Sequence, residues 1–191
     1  KEALILEPSA ASIYICIGDC NRKKLDGGAA LEAYLKAMSM DKSLTAEANY
    51  KIGKIYAVQQ NCEVLTEYFT KATDTDAYYM PAWRELYENY SDRENGCMNV
   101  EKAKIYFDQY IKTSPPGDET ELLRTSFAYS TKDYTTAIST AKQLIKKMGN
   151  QAPARLYKLI GYAYYDQKDF NSAISWMEDY FTKETNIENI V

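Results

Sequence analysis

Four cysteines, the neighbouring carboxylates Glu178 and Asp179, and the basic runs Arg22-Lys23-Lys24 and Lys146-Lys147 are the obvious chemical candidates in this 191-residue chain. Histidine is absent, which removes Ser-His and Cys-His catalysis, imidazole metal sites and the usual general base near neutral pH. Cys16, Cys20, Cys62 and Cys97 form no C-x-x-C pair, so a tetrahedral zinc site would need all four gathered from distant segments. Cys16 and Cys20 lie four apart, on one face of a helix, where thiols behave as small apolar groups. Glu178 and Asp179 are adjacent and point in different directions on a helix, which suits solvated surface charge better than an acid-base pair. With a formal net charge of -4, the basic runs read as solvated helix ends rather than a phosphate-binding surface. No catalytic residue, cofactor, metal or nucleic-acid partner is expected.

At 46% hydrophobic and 26% charged, the chain has the composition of a soluble globular protein with a sizeable core. No apolar run approaches the roughly 20 residues that cross a bilayer, so direct membrane insertion is not expected. The chain opens on Lys1 rather than methionine, as a piece of a longer protein would, and its compartment stays open on that ground.

What positions these side chains is an internal repeat. Gly161, Tyr164, Asp169-Phe170 and Ala173 recur in spacing as Gly18, Asp26 and Ala30, followed by Tyr34 and Ala37. Another copy has Gly53, Tyr56, Phe69 and Ala72, and another has Trp83, Leu86 and Tyr90, then Ala103, Phe107 and Pro115. These residues resemble the tetratricopeptide repeat, whose period of about 34 carries W-x2-L-G-x2-Y, A-x3-F and a closing proline. The glycine place of the Trp83 copy is Tyr87.

The resemblance implies an all-α solenoid of antiparallel helix pairs wound into a right-handed superhelix. It covers the chain as one array over 1–191, of bacterial type. Residues 1–10 read as the tail of a preceding repeat, with Ala3 and Pro8 in closing positions, and repeats follow at about 11–45, 46–79, 80–117, 118–153 and 154–187. The third is lengthened around Glu94-Asn95-Gly96-Cys97-Met98. The fourth is read as one residue short near Ser130-Thr131, which puts Ser126 at its glycine place. In the last repeat Tyr157, Ile160, Gly161 and Tyr164 share one face, and Phe170, Ala173, Ile174 and Met177 another, both read as buried. Neither end resembles a polar cap. ETNIENIV could open another helix, and either missing flanks or end-to-end self-association is expected.

Repeat folds carry no single activity, so function must come from the surface. In the resembled family the first helices line a concave groove that receives a peptide or partner helix. The register carries Asp19, Arg22 and Lys23 to that groove, then Tyr50, Lys51 and Lys54, then Arg84, Glu85 and Glu88. Leu123, Arg124 and Phe127 follow, then Arg155, Lys158, Tyr162 and Tyr165. The asparagines of the carboxylate clamp found in some relatives are missing, so an extended acidic or aromatic-containing segment is the expected ligand. A noncatalytic protein-interaction scaffold is the leading reading; the alternative is a sensory or regulatory segment of a larger protein. The same register brings Cys62 and Cys97 to one edge, where a disulfide is conceivable in an oxidising compartment. Reduced thiols are the default, because loop geometry cannot be read from spacing. Localisation leans to a bacterial periplasm or cell envelope, with the cytoplasm as the alternative.

Overall fold

The computed structural model describes residues 9–92, 94 and 96–188. The expected tail of a preceding repeat at Ala3 and Pro8 lies outside them. Two compact units divide the chain after Ser114. Unit 1 contains α1 (Ala10–Lys23), α2 (Gly27–Met40), α3 (Thr45–Val58), α4 (Cys62–Thr75), α5 (Met80–Ser91) and α6 (Val100–Thr113). Unit 2 contains α7 (Asp118–Ser130), α8 (Tyr134–Met148), α9 (Ala154–Asp166) and α10 (Phe170–Glu188). Helices pair in chain order, and no strand occurs among the described residues.

One turn, used four times, makes four of the five pairs. Leu25, Gln60, Lys132 and Lys168 each take a left-handed backbone with φ of 63, 55, 64 and 66°. The residue after each, Asp26, Asn61, Asp133 or Asp169, sends its N–H back to Asn21, Tyr56, Ala128 or Tyr164 and so caps the ending helix. Its side chain then accepts the amide of Ala29, Val64, Thr136 or Ser172 and starts the next helix. A single Asp or Asn thus closes one helix and opens another, leaving no room for slippage.

That cap lies eight residues after Gly18, Gly53 and Gly161. Eight residues before Asp133 stands Thr125, not Ser126, and the fourth repeat has lost nothing near Ser130-Thr131. Thr125 is fully buried, its hydroxyl donating to the Glu121 carbonyl at 2.8 Å, whereas Ser126 is exposed. The expected register is corrected by one residue there. In the third pair the connection widens to residues 92–99, Asn99 caps α6, and the glycine place holds a whole ring: Tyr87 packs edge-on to Phe107 at 5.1 Å.

At the glycine places the two helices of a pair approach most closely. A Cβ on Gly18 would stand 2.3 Å from the Tyr34 ring, and one on Gly53 would stand 2.6 Å from the Phe69 ring. Cores grow outward from these contacts. Unit 1 has one cluster around Tyr34 and Ile52 and another around Phe69 and Leu86; unit 2 has one around Ala141 and Ile160.

Two expectations for the last pair change. Phe170 and Ile174 are exposed rather than buried, because no described helix follows α10 to cover them. The described part of ETNIENIV, its first five residues, continues α10 to Glu188 rather than opening a helix of its own.

Candidate functional site

The first helices of unit 1 bring together most of the residues assigned to the groove. Asp19 on α1 accepts from the Tyr34 hydroxyl at 2.8 Å and from Lys51 Nζ on α3 at 2.7 Å. Lys51 also reaches Glu47 at 3.5 Å. Lys54 Nζ donates to Glu85 on α5 at 2.5 Å, and the Tyr50 hydroxyl donates to the same carboxylate at 3.5 Å. Arg84 Nε pairs with Glu88 at 2.7 Å. Arg22 stands among these charges, its Nε buried without a hydrogen-bond partner. Lys23 is exposed in the last turn of α1.

The charges balance. Arg22, Lys51, Lys54 and Arg84 stand beside Asp19, Glu47, Glu85 and Glu88, so these eight side chains give strong local polarity with equal numbers of either sign. Burial alone would raise the Asp19 carboxyl, but hydrogen bonds from Lys51 and Tyr34, with the charges of Lys51 and Arg22, hold it below the usual carboxylate range. Burial and the carboxylate of Asp19 push the Tyr34 phenol well up. Both groups therefore keep one protonation state across physiological pH. Beside this lattice Tyr50, Lys54, Met80, Arg84, Glu85 and Tyr110 line an open groove of ≈ 580 Å³.

Unit 2 differs in chemistry. With Thr125 at the glycine place, Ser126 and Tyr129 occupy the positions held by Asp19 and Arg22 on α1. Arg124 and Phe127 are a residue out of that register, Arg124 pairing along its own helix with Glu121 at 3.3 Å. Tyr129 donates to Asp166 on α9 at 3.1 Å; its phenol is pushed up to about 12 by burial and by that carboxylate. Lys158 lies 5.7 Å from the Tyr162 ring centroid and 5.6 Å from that of Tyr180. Tyr162 and Tyr165 join Phe170, Ile174, Met177 and Phe181 around an apolar groove of ≈ 540 Å³.

Cys62 and Cys97 form a disulfide, with Cα atoms 5.6 Å apart. It ties the first turn of α4 to the long α5–α6 connection, while Cys16 and Cys20 are free and exposed. Sequence reasoning missed Glu47, Tyr110 and Tyr129. Tyr129 was hidden by the one-residue register error, whereas Glu47 and Tyr110 become visible only once neighbouring helices stack. Among the described residues no group of three or more His, Cys, Asp or Glu side chains is placed to hold a metal ion, and no helix is long and apolar enough to cross a membrane.

No known family profile and no curated protein matches this chain. Solved structures do. A MamA protein shares 21% identity over 94% of this chain and 94% of its own, with a TM-score of 0.68. The residue 41-to-end portion of MamA from Desulfovibrio magneticus RS-1 shares 12% identity over 93% of this chain and 97% of its own, with a TM-score of 0.66. A tetratricopeptide repeat protein from Parabacteroides merdae shares 16% over 93% of this chain and 67% of its own, with a TM-score of 0.62. At these identities the likeness is one of fold, and the fold is the helical-pair solenoid of tetratricopeptide repeat proteins.

Proposed function

We propose that this chain is a noncatalytic scaffold that binds a segment of another protein along the first helices of unit 1. The observation that carries the reading is the groove beside Tyr50, Arg84 and Tyr110, where aromatic area and an exposed guanidinium meet carboxylates already paired, Glu85 with Lys54 and Glu88 with Arg84. Tyrosine and arginine give large contact area with directional hydrogen bonds. Because Lys51, Lys54 and Arg84 are engaged by Asp19, Glu85 and Glu88, a purely acidic segment would have to displace existing ion pairs. The ligand that suits the groove is a polar segment bearing both signs of charge and an aromatic side chain, its cationic and anionic groups matching the Arg84–Glu88 pair and its carbonyls facing Arg22. The Cys62–Cys97 bond supports an oxidising compartment, periplasm or cell envelope, over the cytoplasm.

The test is capture of a partner by the 191-residue chain, repeated with Arg84→Ala/Tyr110→Ala. Loss of the same partner with unchanged circular dichroism supports the groove; full retention contradicts it.

A further inference from the structure

Within each unit, one helix pair passes its outer face to the next through a repeated junction. In unit 1, α2 offers Ala30, Tyr34 and Ala37, flanked by Leu31 and Met38, and α3 fills that face with Ala48, Ile52 and Ile55. In unit 2, α8 offers Ile138, Ala141 and Leu144, flanked by Ile145, and α9 fills it with Leu156, Ile160 and Ala163. The filling residues stand five and one before, and two after, the glycine place in both cases, and none is more than 7% exposed.

The same three places on α1 are Ile13, Ile17 and Cys20. Ile13 is 46% and Ile17 42% exposed, and Cys20 is exposed too. The receiving half recurs on α10, where Ile174 takes the place of Leu31 and Ile138, and Phe181 that of Met38 and Ile145. Ile174 is 58% exposed and Phe170 54%. These side chains are the wall of the apolar groove described above. The molecule therefore displays both halves of a junction that it closes internally at α2–α3, at α8–α9 and, through Leu65, Phe69 and Ala72 against Ala82 and Leu86, at α4–α5.

We infer that the two halves meet between copies, with α1 of one copy seated in the α9–α10 groove of the next, head to tail. This chain's own α1 is the occupant because Ile13 and Ile17 repeat, at the same spacing, the apolar side chains that fill the internal receiving faces, with Cys20 at the third place. The stripe is uncharged and Glu178 is the single charged side chain lining the groove, so closing the two is chiefly a burial of apolar surface. Since the two surfaces are different patches, every added copy leaves one of each open, and assembly proceeds past the dimer unless it closes into a ring.

Sedimentation equilibrium of the 191-residue chain up to about a millimolar tests this. The mass rises with concentration beyond two chains. Ile17→Asp and Ile174→Asp each stop that growth, with circular dichroism and thermal unfolding unchanged because both side chains lie at the surface. Mixed one to one, the two variants rebuild a single intact junction and give two-chain species and nothing larger. A wild-type chain that stays monomeric overturns the inference, as does growth that survives either substitution. Loss with Ile174→Asp alone, while Ile17→Asp assembles normally, also overturns it and assigns the groove to a face-to-face α10 contact or another occupant.

Discussion

The same position in the helix pair is filled differently along the chain, and the first two pairs of unit 1 contrast with the pairs of unit 2. In unit 1, Gly18 and Gly53 bring backbone against the rings of Tyr34 and Phe69, both fully buried, and the Tyr34 hydroxyl is further tethered to Asp19. In unit 2 the position holds Thr125 opposite the small Ala141, and Gly161 opposite the flexible Met177. Glycine is thus required by the side chain across from it, not by the fold. A ring laid against the backbone, as Tyr34 and Phe69 are, needs the missing Cβ; Phe107 instead meets the Tyr87 ring edge-on at 5.1 Å, and a methyl or a thioether leaves latitude.

A second contrast is covalent. Unit 1 holds the Cys62–Cys97 bond, whose partners are 35 residues apart, and unit 2 contains no cysteine. Removing it with Cys62→Ala/Cys97→Ala is the largest expected change, about 3–4 kcal/mol from a loop of that length. Urea unfolding followed by amide exchange should place the loss in unit 1 and leave α7–α10 protected as before. Equal loss in both units would break the contrast.

Next in size is the glycine pair. Gly18→Ala and Gly53→Ala should each destabilise by about 1–3 kcal/mol through overpacking, reduced by up to about 1 kcal/mol of gained helix propensity. Gly161→Ala needs Met177 atoms at 3.0 Å to give by only a few tenths of an ångström. It should fall within about 0.5 kcal/mol of wild type. Chemical denaturation of the three variants measures this; equal costs at Gly53 and Gly161 would show that the facing side chain does not decide.

The turn, by contrast, is common to both units. Leu25→Gly and Lys132→Gly relieve a left-handed backbone and should each stabilise by about 0.5–1 kcal/mol, read as a rise in Tm. A gain in one unit only would mean the turn is not equivalent in both.

The smallest effect is acid sensitivity around Asp19. Its folded pKa is lowered, so its stabilising contribution is complete above the unfolded value of about 3.9 and fades as pH falls through the lower folded value. Asp19→Asn should be less stable than wild type at pH 7, with the gap closing below about pH 4. A gap unchanged down to pH 2 would contradict the Lys51 and Tyr34 contacts.

Much of this was legible beforehand. Gly18 and Gly161 with their twelve-residue spacing to Ala30 and Ala173, Gly53 with Tyr56, Phe69 and Ala72, and the Trp83-Leu86-Tyr90 motif carried the helix-pair fold. Thr125 and Ser126 are neighbouring small residues, so size could not choose between them; the cap at Asp133 does, through two hydrogen bonds that only a formed turn makes. Charge alone made Lys51 and Lys54 look available to an acidic ligand. Their partners Asp19 and Glu85 lie 32 and 31 residues away and meet them only when α1, α3 and α5 stack. Phe170 and Ile174 have the spacing of buried residues, but burial depends on a following helix, and none is described.

The central claim is that one register, marked by the capping Asp or Asn eight residues on, runs through both units and sets which side chains meet. A double-mutant cycle that installs the ring of unit 1 in unit 2 tests it directly. Ala141→Phe alone should destabilise by about 1–3 kcal/mol or more, since Ala141 is fully buried opposite Thr125. Adding Thr125→Gly should recover much of that loss, with a coupling energy of about 1 kcal/mol or more. Additive losses, or rescue by Ser126→Gly instead, would contradict the register.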